Sequence, residues 1–135
     1  IAFFVRRRDA RRYRGDFPAC LDRAPMLMPL PGSPLRRRLE DWFEGQSIVP
    51  YVVAEFDDSA LLKAFGEASG CVFPGPLAIA DDIDRMYATR VIGSTDQVRE
   101  RYYAISPEQR LKHPAVAAIT DGARQRLNKR EPDSR

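Results

Sequence analysis

The sequence predicts an α/β fold with a doubly wound, mostly parallel sheet. Three observations carry that expectation: short apolar stretches alternate with segments of 3.6-residue period, the connections are short, and several helical segments open on a proline or a capping side chain. Strands that alternate with helices in this way pair through parallel βαβ units with right-handed crossovers.

The elements follow in order. Residues 2–5 (Ala-Phe-Phe-Val) read as a short buried strand, and residues 6–14 as a basic segment with helical potential that Gly15 stops. After a loop over 16–25, residues 26–30 form a second strand. Pro31-Gly32-Ser33-Pro34 then makes a turn and a helix start, with Ser33 as N-cap and Pro34 in the first helical position. Leu35, Leu39, Trp42, Phe43 and Gln46 keep helical spacing over 34–45, which leaves Arg36, Arg37, Arg38, Glu40 and Asp41 off the apolar stripe.

The unit repeats. Residues 51–56 are β-branched and aromatic, and Asp57-Asp58-Ser59 caps a helix that carries Leu61, Leu62, Phe65 and Ala68, closed by Gly70. A short strand over 71–73, the turn Pro74-Gly75-Pro76, a helix over 77–86 with Ile79 and Ile83 inward, and a strand over 88–92 follow. Residues 100–106 read as another strand. His113 and Pro114 open a helix whose Val116, Ile119, Ala123 and Leu127 share one face, and the tail beyond is expected to be disordered.

Composition narrows the function classes. The 135 residues are 44% hydrophobic and 30% charged, too apolar for a disordered chain of formal net charge +3. No apolar run approaches the roughly 20 residues that span a bilayer, so a soluble, cytoplasmic protein without a membrane partner is expected. Cys20 and Cys71 stand alone, outside any CxxC or Cys/His cluster, and are expected to be reduced packing residues with no metal or other cofactor. The chain opens at Ile1 directly in a strand-like run, so further sequence is expected upstream.

The chemistry of the chain is sparse. In open α/β sheets ligands sit beyond the carboxyl ends of the strands, where helix starts offer N–H groups and positive dipole ends. Residues 31–34, 57–59 and 74–76 are three such corners, and Ser33, Asp57, Ser59 and Gly75 are the candidate ligand-binding residues, although capping and turning the chain explain each of them equally well. The arginines at 6, 7, 8, 11, 12 and 14 resemble a phosphate-binding patch, yet a solvated surface suits them better because Asp9 and Asp16 offset them and only Tyr13 interleaves. Asp81, Asp82 and Asp84 lack the spacing of a calcium loop and read as surface charge. With a lone His113, and no Gly-x-Ser-x-Gly, Walker or Gly-x-Gly-x-x-Gly sequence, no catalytic residues are assembled and no enzyme is expected.

Three stretches carry a resemblance: Leu39-Glu40-Asp41-Trp42-Phe43, the run from Val53 through Glu55, Asp57 and Ser59 to Gly66, and Arg99-Glu100-Arg101-Tyr102-Tyr103-Ala104-Ile105-Ser106 with Lys112-His113-Pro114-Ala115-Val116. On these the chain resembles the effector-binding domain of LysR-type transcription regulators, in the branch that controls an ion antiporter gene. The resemblance implies a periplasmic-binding-protein-like fold in which an effector, a small molecule or an ion, binds between two α/β subdomains. It implies a homo-oligomer formed through the regulatory domains and DNA contact only through an N-terminal domain outside this sequence.

Under it residues 1–8 are a first hinge strand and crossover, with Phe4 and Val5 at the hinge. Residues 9–98 are regulatory subdomain two, and 99–106 a second hinge strand carrying Tyr103 and Ala104. Residues 107–127 are a helix returning to the first subdomain with an exposed apolar patch, and 128–135 a tail. The alternatives are a fragment of a two-lobed solute-binding protein and a small α/β enzyme domain.

Overall fold

The computed structural model describes residues 1–103, 105 and 114–128, and the chain divides into two units, Ile1–Glu100 and Arg101–Arg135. The first unit is built on β1, Ala2–Arg6, in which Ala2, Phe3, Phe4 and Val5 are all fully buried. A strand apolar at every position, not at alternate ones, can only be satisfied with cover on both faces.

That cover is present. Successive side chains of a strand point to opposite faces, so Phe3 and Val5 enter one core with Met26, Met28, Val72, Leu39, Trp42 and Phe43. Ala2 and Phe4 enter another with Leu27, Phe73, Leu62, Ala80 and Ile83. On the first face Phe3 stacks on Trp42 at 5.5 Å between ring centroids and touches Phe17 and Phe43 at 5.9 Å each; on the second, Phe4 stacks on Phe73 at 5.4 Å. Each fully buried phenylalanine or valine contributes about 1.5–3 kcal/mol relative to exposure.

The remaining elements of this unit are β2 (Pro25–Pro29), α1 (Pro34–Gly45), β3 (Tyr51–Phe56), α2 (Ser59–Ser69), β4 (Phe73–Gly75), α3 (Ala80–Met86) and β5 (Thr89–Ser94), with 3-10 helices at Arg7–Tyr13, Ala19–Leu21 and Leu77–Ile79. β2 and β3 pair in parallel around α1, a βαβ unit. β1 lies between β4 and β5 and runs against both. A bridge between Met26 and Val72, with Leu27 N–H donating to the Val72 carbonyl and Val72 N–H to that of Pro25 at 2.8 Å each, brings β2 beside β4. Neighbours therefore run β3, β2, β4, β1, β5.

The α/β expectation holds, with α1 on one face and α2 and α3 on the other, but the reversed β1 departs from it. The cause is local. Residues 7–24 do not run back along the sheet, because Arg7 N–H bonds the Ala88 carbonyl at the end where β1 finishes, and that end is also where β2 begins. A connection that recovers no strand length sets β1 against β2. The basic segment is helical as expected, in the tighter 3-10 form.

On two helices burial departs from polarity, and in α1 also from the sequence expectation that Arg36 lies off the apolar stripe. In α1 Arg36 is buried with Leu39 and Phe43, because positions i, i+3 and i+7 share a face whatever their polarity, while Gln46 is exposed as the C-cap. Arg36 is held by three bonds: Nε to Glu40 Oε1 at 2.5 Å, and Nη1 to Glu55 Oε1 at 2.7 Å and to the Pro29 carbonyl at 2.8 Å. Burial opposes its charge, but the bonds from Glu55 and Glu40 outweigh that and raise its pKa above the ordinary value. Burial alone did not make the residue neutral; its partners keep it charged.

In α2 the inward positions are Leu62 and Gly66, whereas Leu61, Phe65 and Ala68 are exposed, Phe65 resting on Phe56 at 5.2 Å. Gly66 sits directly on the Phe73 ring: a Cβ built there would lie 2.2 Å from Phe73 Cδ1. Ring and helix backbone thus meet at a distance that only glycine permits. Asp58 caps this helix, its Oδ1 accepting from Ala60 N–H at 2.6 Å and Leu61 N–H at 3.1 Å, and Gly70 closes it with φ +75°.

In the second unit α4 spans Pro114–Asn128, with Thr120 Oγ1 donating to the Val116 carbonyl at 2.8 Å. Ile119 and Ala123 are exposed and Val116 is half-buried. The strand expected over 100–106 is not formed at residues 100–103 or 105, while Ala104, Ser106 and His113 lie outside the described residues.

Two substitutions test this packing. Gly66→Ala gains helix propensity of roughly 1 kcal/mol yet is expected to lower stability by about 1–3 kcal/mol through overpacking against Phe73, with Phe73→Leu restoring part of it; urea unfolding measures both, and a parent-like midpoint for Gly66→Ala would remove the close approach as a constraint. Arg36→Met is expected to cost about 1–3 kcal/mol by leaving the Pro29 carbonyl and two carboxylates without their donor, and Glu40→Gln under 1 kcal/mol because Glu40 is half exposed. Equal losses in the two variants would mean that the interior bonds to Pro29 and Glu55 contribute nothing.

Candidate functional site

The register brings the carboxyl ends of β2, β3, β4 and β5 to one end of the sheet. Pro29 lies opposite Phe56, while Gly75 and Ser94 flank Ala2 at the start of β1. The loops leaving these strands form a rim: residues 30–33 before α1, 57–58 before α2, and 76–79 before α3. Leu30 N–H donates to the Phe56 carbonyl at 3.0 Å, which holds the first two loops side by side.

Each sequence-predicted residue has a definite place on this unit. Ser33 caps α1, its Oγ accepting from Arg36 N–H at 3.2 Å. Asp57 is exposed in the link between β3 and α2, and Ser59 is the first residue of α2, its carbonyl and Oγ both accepting from Lys63 Nζ at 3.1 and 3.4 Å. Gly75 is buried, paired opposite Ala2, with Phe4 Cε2 3.0 Å from where a Cβ would stand; its lack of a side chain serves the packing on β1. Ser33, Asp57 and Ser59 therefore lie on the loops of the rim, while Gly75 is buried against Phe4 at the end of β4.

The caps use part of the donor supply. N–H groups at Arg36, Ala60 and Leu61 are already bonded by Ser33 and Asp58, so any anion at these helix starts meets a partly satisfied field. Lys63 is the cation that sequence reasoning missed. It is half-buried, and burial lowers its pKa from the ordinary lysine value although Glu100 and Asp58 pull the other way. Its spacing of four from Ser59 is the signal that points to it: one turn into a capped helix, a long side chain reaches back over the helix start. Arg36 stands behind the same rim, tying the last residue of β2 to β3 and α1.

The residues expected at the hinge divide between the units. Phe4 and Val5 are fully buried in the middle of β1, and Tyr103 of the second unit is exposed outside any strand. Elsewhere the acidic cluster is occupied with local contacts: Asp84 Oδ1 accepts from Thr89 Oγ1 at 3.2 Å and Asp82 lies 3.9 Å from Arg85. Among the described residues no group of three or more His, Cys, Asp or Glu side chains forms a metal-ligand set, and no helix is long and apolar enough to cross a membrane. Cys20 and Cys71 are both free thiols, and burial pushes the pKa of Cys20 up.

Comparison with known proteins places this architecture. The model of the LysR substrate binding domain family matches residues 7–128. The transcriptional activator protein NhaR of Escherichia coli (strain K12) and its counterpart in Shigella flexneri are each 40% identical to the chain over 103 residues, 76% of this chain and 34% of the relative. The chain thus spans about a third of the length of these curated relatives. No solved structure matches it. With 122 of its 135 residues inside the family match, the chain belongs to the LysR substrate-binding-domain family.

Proposed function

We propose that the chain is the effector-sensing C-terminal part of a LysR-type transcription regulator, holding one side of a ligand cleft and transforming no substrate. The match to the LysR substrate binding domain over residues 7–128 carries this reading, and the likeness to transcriptional activators over 103 residues supports it. In its specific form the sheet is doubly wound in the manner of periplasmic binding proteins, the first unit is the second regulatory subdomain, and the regulated gene encodes an ion antiporter.

The cleft side is the rim of Ser33, Asp57 and Ser59 over Gly75, now with Lys63. Hydroxyls, a carboxylate and an ammonium grouped at the starts of α1 and α2 suit a small polar effector or ion that is gripped by few groups. β1 through Phe4 and Val5, and the segment holding Tyr103, act as the two hinge segments between subdomains. Effector binding favours one hinge angle by its differential affinity for that state, and the population follows. Self-association through regulatory domains and DNA recognition by an N-terminal domain belong to the part of the reading that lies beyond this chain. The exposed Ile119 and Ala123 of α4 face the first subdomain in that assembly.

Titration calorimetry of the complete two-subdomain protein with Na⁺ and with small carboxylates tests the site. Saturable binding of one of them is expected, weakened about three- to tenfold in Ser59→Ala, the effect of one lost hydrogen bond. Lys63→Met is expected to weaken a carboxylate more than Na⁺. Unchanged affinity in both variants would reduce Ser59 and Lys63 to helix-start residues and move the cleft elsewhere.

A further inference from the structure

The segment 6–14 holds six arginines against one aspartate, a net charge of +5 in a chain whose formal total is +3, so the remaining residues sum to −2. The 3-10 helix sorts these charges. With three residues per turn, positions i and i+3 eclipse one another, and the segment Arg7–Tyr13 with its C-cap Arg14 has three distinct sides. Arg7, Ala10 and Tyr13 form one side: Ala10 and Tyr13 pack on the core that includes α1, while the exposed Arg7 reaches the Asp84 carbonyl with Nη2 at 3.3 Å. Arg6 and Asp9 form a second side, paired at 2.7 Å, with Arg6 Nη1 also bonding the Ala68 carbonyl near the end of α2 at 2.9 Å.

The third side is Arg8, Arg11 and Arg14, all exposed, with exposed Arg12 beside them. At a rise of about 2 Å per residue the three guanidinium stems start roughly 6 Å apart along the axis. Among the described residues none of these four arginines forms an ion pair. The one acid within the helix, Asp9, is committed to Arg6. The charge is thus concentrated, with Asp16 the nearest further acid in sequence, on a segment fixed at both flanks by core packing and by the Arg6 clasp.

We propose that the stripe of Arg8, Arg11 and Arg14, widened by Arg12, binds the phosphate backbone of duplex DNA without reading its sequence. Three features favour phosphates. All four side chains are arginine, whose planar fork meets phosphate oxygens in pairs, and none is lysine. The stripe carries no exposed apolar or aromatic side chain, since Ala10 and Tyr13 turn inward, so it lacks the apolar centre of a protein–protein interface and the stacking groups that read bases. It lies at the end of the sheet where β1 finishes and β2 begins, opposite the rim of Ser33, Asp57 and Ser59. A bound effector and a bound duplex would not compete, and the failure of either reading leaves the other standing.

The test is fluorescence anisotropy of a labelled duplex of about 30 base pairs titrated with the 135-residue chain from 50 to 200 mM NaCl. The parent is expected to bind with a micromolar or weaker Kd, equally for two duplexes of unrelated sequence. R8Q/R11Q/R14Q is expected to lose at least tenfold at 50 mM and to lower the slope of log K against log salt by about 2.7, three phosphate contacts at about 0.9 each. R8K/R11K/R14K keeps the charge and should keep the slope, which separates lost contacts from lost folding. R37Q/R124Q/R126Q, the same loss of charge on exposed arginines of α1 and α4, should stay within about threefold of the parent.

An equal loss in that control would assign the binding to net charge and overturn the stripe. A strong preference between the two duplexes would overturn backbone binding. Displacement of the duplex by poly-glutamate at equal charge concentration would show an acidic polypeptide to be the better fit and would overturn the choice of DNA.

Discussion

Burial of β1 on both faces is the constraint on which the first unit depends. Four consecutive apolar residues cannot be satisfied at an edge or on a one-sided sheet, so the chain must bring strands to both sides of β1 and helices to both faces. Phe3 sets the position of Trp42 and Phe43 on α1, and Phe4 that of Phe73, which in turn requires Gly66 in α2. The requirement for a glycine in the middle of a helix is thus traced, contact by contact, to the alternation of two phenylalanines in a strand. A pair of interdigitated layers packed this tightly transmits strain and does not absorb it.

The same strand separates two kinds of surface. Because β1 runs against β4 and β5, its start lies among the carboxyl ends of the other strands and its finish among their beginnings. Helix starts, capping hydroxyls and carboxylates, and Lys63 gather at one end, while the guanidinium-rich 3-10 helix gathers at the other. The proposed ligand rim and the proposed DNA-binding stripe therefore occupy opposite ends of one sheet.

Much of this was legible beforehand for stated reasons. Ser33-Pro34, Asp58 and Gly70 mark helix ends through local hydrogen bonding and backbone freedom, which a sequence records directly, and each of these boundaries stands where it was read. Helix facing is less legible, because polarity is a poor proxy for it: Arg36, off the apolar stripe, is buried, while Leu61, Phe65 and Ala68 are exposed. What faces inward in α1 includes an arginine whose partners arrive from β2 and β3, and in α2 a glycine over which a ring from β4 lies. Neither partner is near in sequence. Lys63 escaped notice for a related reason: a lysine on a helix carries no signal until the cap beneath it is seen to receive its ammonium.

The sequence by itself determined the α/β class, the caps, and through its resemblance the family that comparison then established, because all of these rest on periodicity, local bonding or residue identity. Tertiary structure alone decided the direction of β1, the sorting of the arginines onto three sides of a 3-10 helix, the burial of Arg36 and the meeting of the rim loops. Those depend on which strands become neighbours and on contacts between residues far apart in the chain, a free-energy contest that no local pattern encodes.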